Sequence, residues 1–414
     1  MIKLNILISL FFLLVSCSSS KKLNLSKALS LKDSLTNELK EVYKQGEFNG
    51  FSVAIVDKNG TLYTKGVGYS DVTLKKNYTE NTIQNIGSIS KTLVGIALLK
   101  AQELGKLKLD DPINKYLSFK VENPFYPKNQ ITIRNLATHT STITDNEFYL
   151  NKNYILKPDQ DLSNVKLRLE DEQIINPFDS TILLETYLKN VLTKDGKWYK
   201  GQDFLNRKPG EIYEYSNVAT GLAAYIIERA TGISFSKFTE KYILHPLKMK
   251  SSGWHFEDVN FQNYSRLYQN PDTLLPFYSL ITYPDGNFIT SSSDLAKYLS
   301  ELIKGFEGNG TILSIESYKE YFKEQLAAKN FIKRNERNPY NEEYNIGIFI
   351  GFSYTGNIGH TGGDPGVSTI MFFNPKTKIG RLLIVNTNIN NKKGNDEFYN
   401  IWGTLEKYQF KLHN

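Results

Sequence analysis

Ser88-Ile89-Ser90-Lys91 sets a hydroxyl and an amine three residues apart at the head of an apolar stretch. In a helix this spacing stacks the two side chains on one face, one turn apart. A serine hydroxyl attacks a carbonyl only when a neighbouring base takes its proton, and a lysine can do so once burial or nearby positive charge lowers its pKa. The first turn of a helix also leaves backbone N–H groups unpaired, that of Ser88 among them, and these suit a developing oxyanion. The chemistry implied is acyl transfer through Ser88, with a plain helix cap as the structural alternative.

The same four-residue pattern also begins at Ser18, Ser19, Ser163 and Ser234. Ser18 and Ser19 lie in a serine- and lysine-rich tract, Ser163 in a charged loop, and Ser234 in an apparent amphipathic surface helix. Only Ser88 is followed by Leu93, Val94, Ile96, Ala97, Leu98 and Leu99, which would bury the turn that carries Lys91. Tyr215-Ser216-Asn217 lies between Pro209-Gly210-Glu211 and an apolar helix. There the tyrosine can act as a general base beside Lys91, and the asparagine amide can hold Lys91 or a substrate carbonyl. Its structural alternative is a core tyrosine followed by an Asn217 N-cap. His360-Thr361-Gly362-Gly363 heads a late strand, where glycines admit a substrate backbone and the Gly363 N–H can face that of Ser88 as a second oxyanion donor. A glycine-rich turn is the alternative there.

These groups must be positioned by elements from distant parts of the chain. Residues 31–45 have a helical apolar period, and residues 51–56 and 61–67 flank Asn59-Gly60, a hairpin signal. Helices are predicted over 89–104, 181–192, 217–231 and 235–244. Strands are predicted over 345–352, 367–373 and 380–386, and a final helix over 395–411. The fold expected is α/β of the α+β type: an antiparallel sheet flanked by helices, built from both chain ends, with an all-helical insertion at about 86–275. Residues 142–205 are polar and irregular and read as an elaborated loop over the cleft.

The chain resembles the serine beta-lactamase and penicillin-binding protein superfamily, in particular its class C beta-lactamase-like branch, which also contains esterases and D-amino-acid peptidases. The resemblance runs from about residue 35 to 390. It is carried by Ile86-Gly87-Ser88-Ile89-Ser90-Lys91-Thr92, Leu109-Asp110-Asp111-Pro112-Ile113, Leu136-Ala137-Thr138-His139-Thr140-Ser141, Pro209-Gly210-Glu211 through Tyr215-Ser216-Asn217, and Gly359-His360-Thr361-Gly362-Gly363. It implies that Ser88 is the acylated nucleophile and that Lys91 and Tyr215 share the base role. Asn217, His360 and Thr361 would bind substrate, the Ser88 and Gly363 backbone would form the oxyanion hole, and His139 would be structural. Two departures stand out. The third motif opens with His360 where antibiotic-hydrolysing members have a lysine, which favours esters or peptides over lactams. Thr142 stands where the family usually has glycine.

Composition narrows the remaining possibilities. A net charge of +7 over 414 residues is mild, and no basic stripe interleaves with aromatics, so nucleic-acid binding has little support. The five histidines, His139, His245, His255, His360 and His413, show no close ligand spacing, and no metal or other cofactor is expected. The apolar run Ile6–Val15 and Ser16-Cys17 resemble a lipoprotein signal and lipobox, with Cys17 the lipidated residue and residues 18–30 a tether. The expectation is an exported bacterial lipoprotein held at a membrane, facing the periplasm or the exterior, whose catalytic unit spans 31–414 and takes a small-molecule or peptide substrate. A binding or sensor lipoprotein that has lost turnover is the alternative.

Overall fold

The computed structural model describes residues 29–167, 173–334, 340 and 342–413. The leader, Cys17 and most of the tether lie outside them. Residues 29–43 form helix α1, followed by strands β1 (Gly50–Asp57) and β2 (Gly60–Asp71). Asp57 Oδ1 closes the hairpin between them, accepting from the N–H groups of Asn59 at 2.7 Å and Gly60 at 3.2 Å.

The rest of the framework comes from the far end of the chain: β3 (Ile358–Asp364), β4 (Val367–Asn374) and β5 (Ile379–Val385), then helix α5 (Lys392–His413). The spatial order of the long strands is β3-β4-β5-β1-β2, all antiparallel, with short strands at both edges completing eight. β1 and β5 join the two chain ends directly, with Phe51 opposite Val385 and Val56 opposite Gly380.

Alternation along β1 decides the layers, because successive strand side chains point to opposite faces. Phe51, Val53 and Ile55 pack with Leu35 and Leu39 of α1 and with Phe398, Ile401, Trp402 and Leu405 of α5. Ala54 and Val56 face the other way, into the larger core built with α2 (Ser90–Glu103), α3 (Asn217–Thr231) and α4 (Ser292–Phe306). The sheet is thus covered on both faces. α2 is buried on all sides from Ser90 to Leu99, as a helix apolar around its circumference must be. Among the described residues no helix is long and apolar enough to cross a membrane.

Several elements differ from the sequence expectation. The region between the two sheet-forming ends is mainly helical, yet it contains a small sheet in which Tyr154–Leu156 pairs with Ile175–Asn176 and with Tyr278–Leu280. Much of the stretch read as irregular loop is therefore ordered structure. The single strand predicted at 345–352 is split into Asn345–Ile346 and Gly351–Phe352. Between them Phe349 takes φ 53° and residues 348–350 turn into the helical core, where the Phe349 N–H bonds Ala137 O. An apolar run fits a buried plug as well as a strand. The helix predicted over 235–244 is α-helical over Phe235–Thr239 and π-helical over Glu240–Leu244.

Candidate active site

Ser88 sits in the one-turn 3-10 segment Gly87–Ile89 that leads into α2. Lys91, one turn on, is 0% exposed, and its Nζ donates to Ser88 Oγ at 2.9 Å and to the backbone carbonyl of Asp285 at 2.7 Å. Burial lowers the Lys91 pKa; the carboxylates of Asp285, Asp145, Asp364 and Glu342 oppose the shift without reversing it. An amine with a depressed pKa, fixed against a serine hydroxyl, is poised to receive that hydroxyl's proton.

β3 is pressed against the Ser88 turn by glycines. Gly87 takes φ +55°, and a Cβ there would lie 2.8 Å from Gly363 N. A Cβ on Gly362 would lie 2.2 Å from Ile86 O and 3.0 Å from Ser88 N. Thr369 Oγ1 fixes the approach, donating to Ile86 O at 2.8 Å and to Gly362 O at 3.1 Å. The backbone around the amides of Ser88 and Gly363 is thereby held in close contact beside the nucleophile.

Tyr215 precedes α3, whose N-cap is Ser216, accepting from Ala219 N, while Asn217 is its first residue. Lys91 Nζ lies 5.0 Å from the Tyr215 ring centroid, and the tyrosine hydroxyl interacts with Ser88. Burial holds the Tyr215 pKa well above that of an ordinary phenol, the Ser88 hydroxyl only partly offsetting it, so the resting side chain is a neutral phenol. The loop is held by Asp145, whose carboxylate accepts from Ser216 Oγ, Asn217 N, Asn217 Nδ2 at 2.7 Å and Val218 N. The Asn217 amide group thus donates to Asp145, and the hydrogen-bond partners of Lys91 are Ser88 and Asp285 instead. His139 braces the same loop: its Nδ1 accepts from Ser216 N at 3.2 Å and its ring lies 4.6 Å from that of Tyr215. Burial keeps His139 neutral, as does the nearby Lys91. Thr142, in the same segment, sits at φ +72°, the left-handed region that favours glycine.

His360 is 2% exposed and neutral, since burial depresses its pKa more strongly than Glu342 restores it; its Nδ1 lies 2.6 Å from Thr361 O. Thr361 Oγ1 donates to both carboxylate oxygens of Glu342 at 2.9 Å. The third motif therefore presents a hydroxyl backed by a carboxylate, with no fixed positive charge on its first residue.

Ser88 opens into a cleft of about 430 Å³ whose walls include Tyr149, Tyr154, Asn217, Asp285, Gly363 and Asp364. Three of its acids, Asp145, Asp285 and Asp364, were not singled out by the sequence reading. Asp285 lies in Tyr283-Pro284-Asp285-Gly286 and Asp364 in Asp364-Pro365-Gly366, both recognisable turn signatures, but neither signature tells where the turn lands. Asp285 is buried and accepts from Tyr149 at 3.0 Å and Thr282 at 2.5 Å; burial raises its pKa despite the nearby Lys91. Burial raises the Asp364 pKa to about 7, with the Tyr154 hydrogen bond at 3.0 Å and Lys91 pulling the other way.

A serine hydroxyl held on a buried lysine, at the junction of a two-faced sheet and a helical region, is an arrangement suited to acyl transfer. The chain belongs to the beta-lactamase family, whose model matches residues 35–406. Among curated proteins it is similar to the protein flp of Staphylococcus aureus (strain MW2), 26% identical over 359 residues, which is 83% of this chain and 61% of that one. The chain thus matches about three fifths of the length of that relative. Among solved structures it resembles the D-amino acid amidase of Ochrobactrum anthropi SV3 complexed with L-phenylalanine, at 19% identity and TM-score 0.65, covering 91% of this chain and 99% of that one. It also resembles the octameric penicillin-binding protein homologue of Pyrococcus abyssi, at 22% identity and TM-score 0.64, covering 91% and 76%. Both likenesses concern the fold.

Proposed function

We propose that this chain hydrolyses an ester or amide through an acyl-Ser88 intermediate, as an esterase or D-amino-acid peptidase in preference to a beta-lactamase. The observation that carries the reading is the 2.9 Å contact between the Lys91 amine and the Ser88 hydroxyl at the foot of the cleft. Neutral Lys91 takes the Ser88 proton as Oγ attacks the carbonyl carbon, and the Ser88 and Gly363 N–H groups receive the oxyanion. The neutral Tyr215 phenol relays a proton to the leaving group and recovers one from Lys91. Water then attacks the acyl-serine, delivering its proton back through the same groups, and the acid leaves. His360 and Glu342 support the preference against lactams, because a neutral imidazole and a carboxylate make a poor seat for a substrate carboxylate. The likeness to an amidase of D-amino acids supports testing D-aminoacyl substrates first. Residues 1–17 would export the chain and leave Cys17 as a lipid anchor, with the cleft in the periplasm or outside the cell; Cys17→Ala should release the protein from the membrane fraction.

The test compares hydrolysis of a short-chain nitrophenyl ester by the full chain in detergent with that of Ser88→Ala. Turnover by the parent alone, with the mass of the acyl adduct on the peptide containing Ser88, is the expected result. Equal rates, or none in either protein, would overturn the reading in favour of a binding or sensor protein.

A further inference from the structure

We propose that the natural acyl donor carries a positively charged amino group beside its carbonyl, and that the Asp364 carboxylate is its counter-ion. This rests on the acyl-serine reading above. The cleft that contains Ser88 and Gly363 is lined by four carboxylates, Asp145, Glu147, Asp285 and Asp364, and among the described residues lining it none is a lysine, arginine or histidine. Three of the four are already committed. Asp145 accepts the start of α3, Glu147 pairs with Lys200 Nζ at 2.6 Å, and both oxygens of Asp285 are taken by Tyr149 and Thr282.

Asp364 differs. Its Oδ1 accepts from Tyr154, whereas Oδ2 has no hydrogen-bond partner among the described residues and lies against Gly286, where a methyl group would come within 2.8 Å of it. The missing side chain at Gly286 keeps that oxygen open to the cleft. Asp364 also directly follows Gly363, and both line the cleft into which Ser88 opens, so the acyl part of a substrate bound at Ser88 shares that cleft with the Asp364 carboxylate. The acyl part of the substrate stays on the enzyme through both steps, and this cavity is where it can be held. An ammonium there gains a charge-assisted hydrogen bond in a partly desolvated site and draws Asp364, whose pKa burial lifts to about 7, toward its ionised form; a second carboxylate would meet repulsion. The substrate class is an aminoacyl ester or amide with a free amino group.

Three methyl esters of nearly equal shape separate charge from size: alanine methyl ester in both hands, methyl isobutyrate and monomethyl methylmalonate. Methanol release is followed at pH 7, below the α-amino pKa of about 7.7. The better alanine enantiomer should exceed isobutyrate at least tenfold in kcat/KM, with methylmalonate slowest. In Asp364→Asn, shown to be folded by its melting temperature, the alanine-to-isobutyrate ratio should fall to within threefold of one. Ser88-dependent turnover of the nitrophenyl ester with no preference for alanine, or a preference that survives in Asp364→Asn, overturns the inference and leaves the hydrolase reading standing. Failure of Ser88-dependent nitrophenyl ester turnover overturns both.

Discussion

Lys91→Met takes the amine from beneath Ser88 and leaves an unbranched side chain of similar length in a site that is 0% exposed. Positioned acid–base groups typically contribute about 10²- to 10⁴-fold, which is about 3–5 kcal/mol of barrier. Two stability effects oppose each other. The Ser88 hydroxyl and the Asp285 carbonyl lose a donor, about 1–3 kcal/mol for a buried acceptor left unpaired, while removal of a buried amine from an apolar turn returns a desolvation cost of several kcal/mol. The variant should therefore melt close to or above the parent while its burst of nitrophenol, read by stopped flow, slows at least a hundredfold. The parent's acylation rate should rise with pH through the depressed Lys91 pKa, because only the neutral amine accepts a proton, and the variant should lose that limb. A burst within tenfold of the parent's, with the limb intact, would show that the base is another group.

The remaining predictions concern the scaffold. Gly362→Ala sets a methyl 2.2 Å from Ile86 O and 2.5 Å from Thr369 Oγ1, so β3 must move off the nucleophile's turn; acylation measured by the same burst should drop at least about a hundredfold. Thr142→Gly relieves a β-branched residue at φ +72° while Asn123 keeps its other acceptors, Leu205 O and Arg207 O, and should gain about 1 kcal/mol, visible as a melting temperature raised by a degree or two. Glu397 is buried, accepts the Glu47 N–H at 2.9 Å, and has its pKa raised by burial to about 7. Its stabilising contribution is complete below the ordinary carboxylate value of 4.5 and is lost as pH rises through about 7, so Glu397→Gln should melt higher than the parent at pH 8 and alike at pH 4.

Legibility followed the kind of signal each feature leaves. The 217–231 helix, the hairpin at Asn59-Gly60 and the terminal helix were readable because period, turn chemistry and caps agree there. Ser88 and Lys91 were readable because a helix turn converts sequence spacing directly into contact. The second acceptor of Lys91 was not, because it is the Asp285 backbone carbonyl, and a carbonyl leaves no residue-type trace. Asp145 was hidden for a related reason: it acts on residues 71–73 positions away, and its own surroundings look like polar loop. The split at residues 347–350 escaped because burial in a helical core and burial in a sheet select the same apolar residues.

The pairing of β1 with β5 makes the molecule's chemistry a late event in its synthesis. The Glu47 N–H and its Glu397 acceptor are 350 positions apart, and the Gln84 amide reaches Val385 O across 301. Contacts so distant in the chain carry a high loop-closure cost and form slowly. Until the final strands have been made, the first hairpin has no neighbour on its β5 side and Ser88 has no Gly363 beside it. On the acyl-serine reading proposed above, a nascent or C-terminally truncated chain should therefore be chemically silent, and a nick in the last three long strands should lower acylation even though Ser88, Lys91 and Tyr215 are all intact.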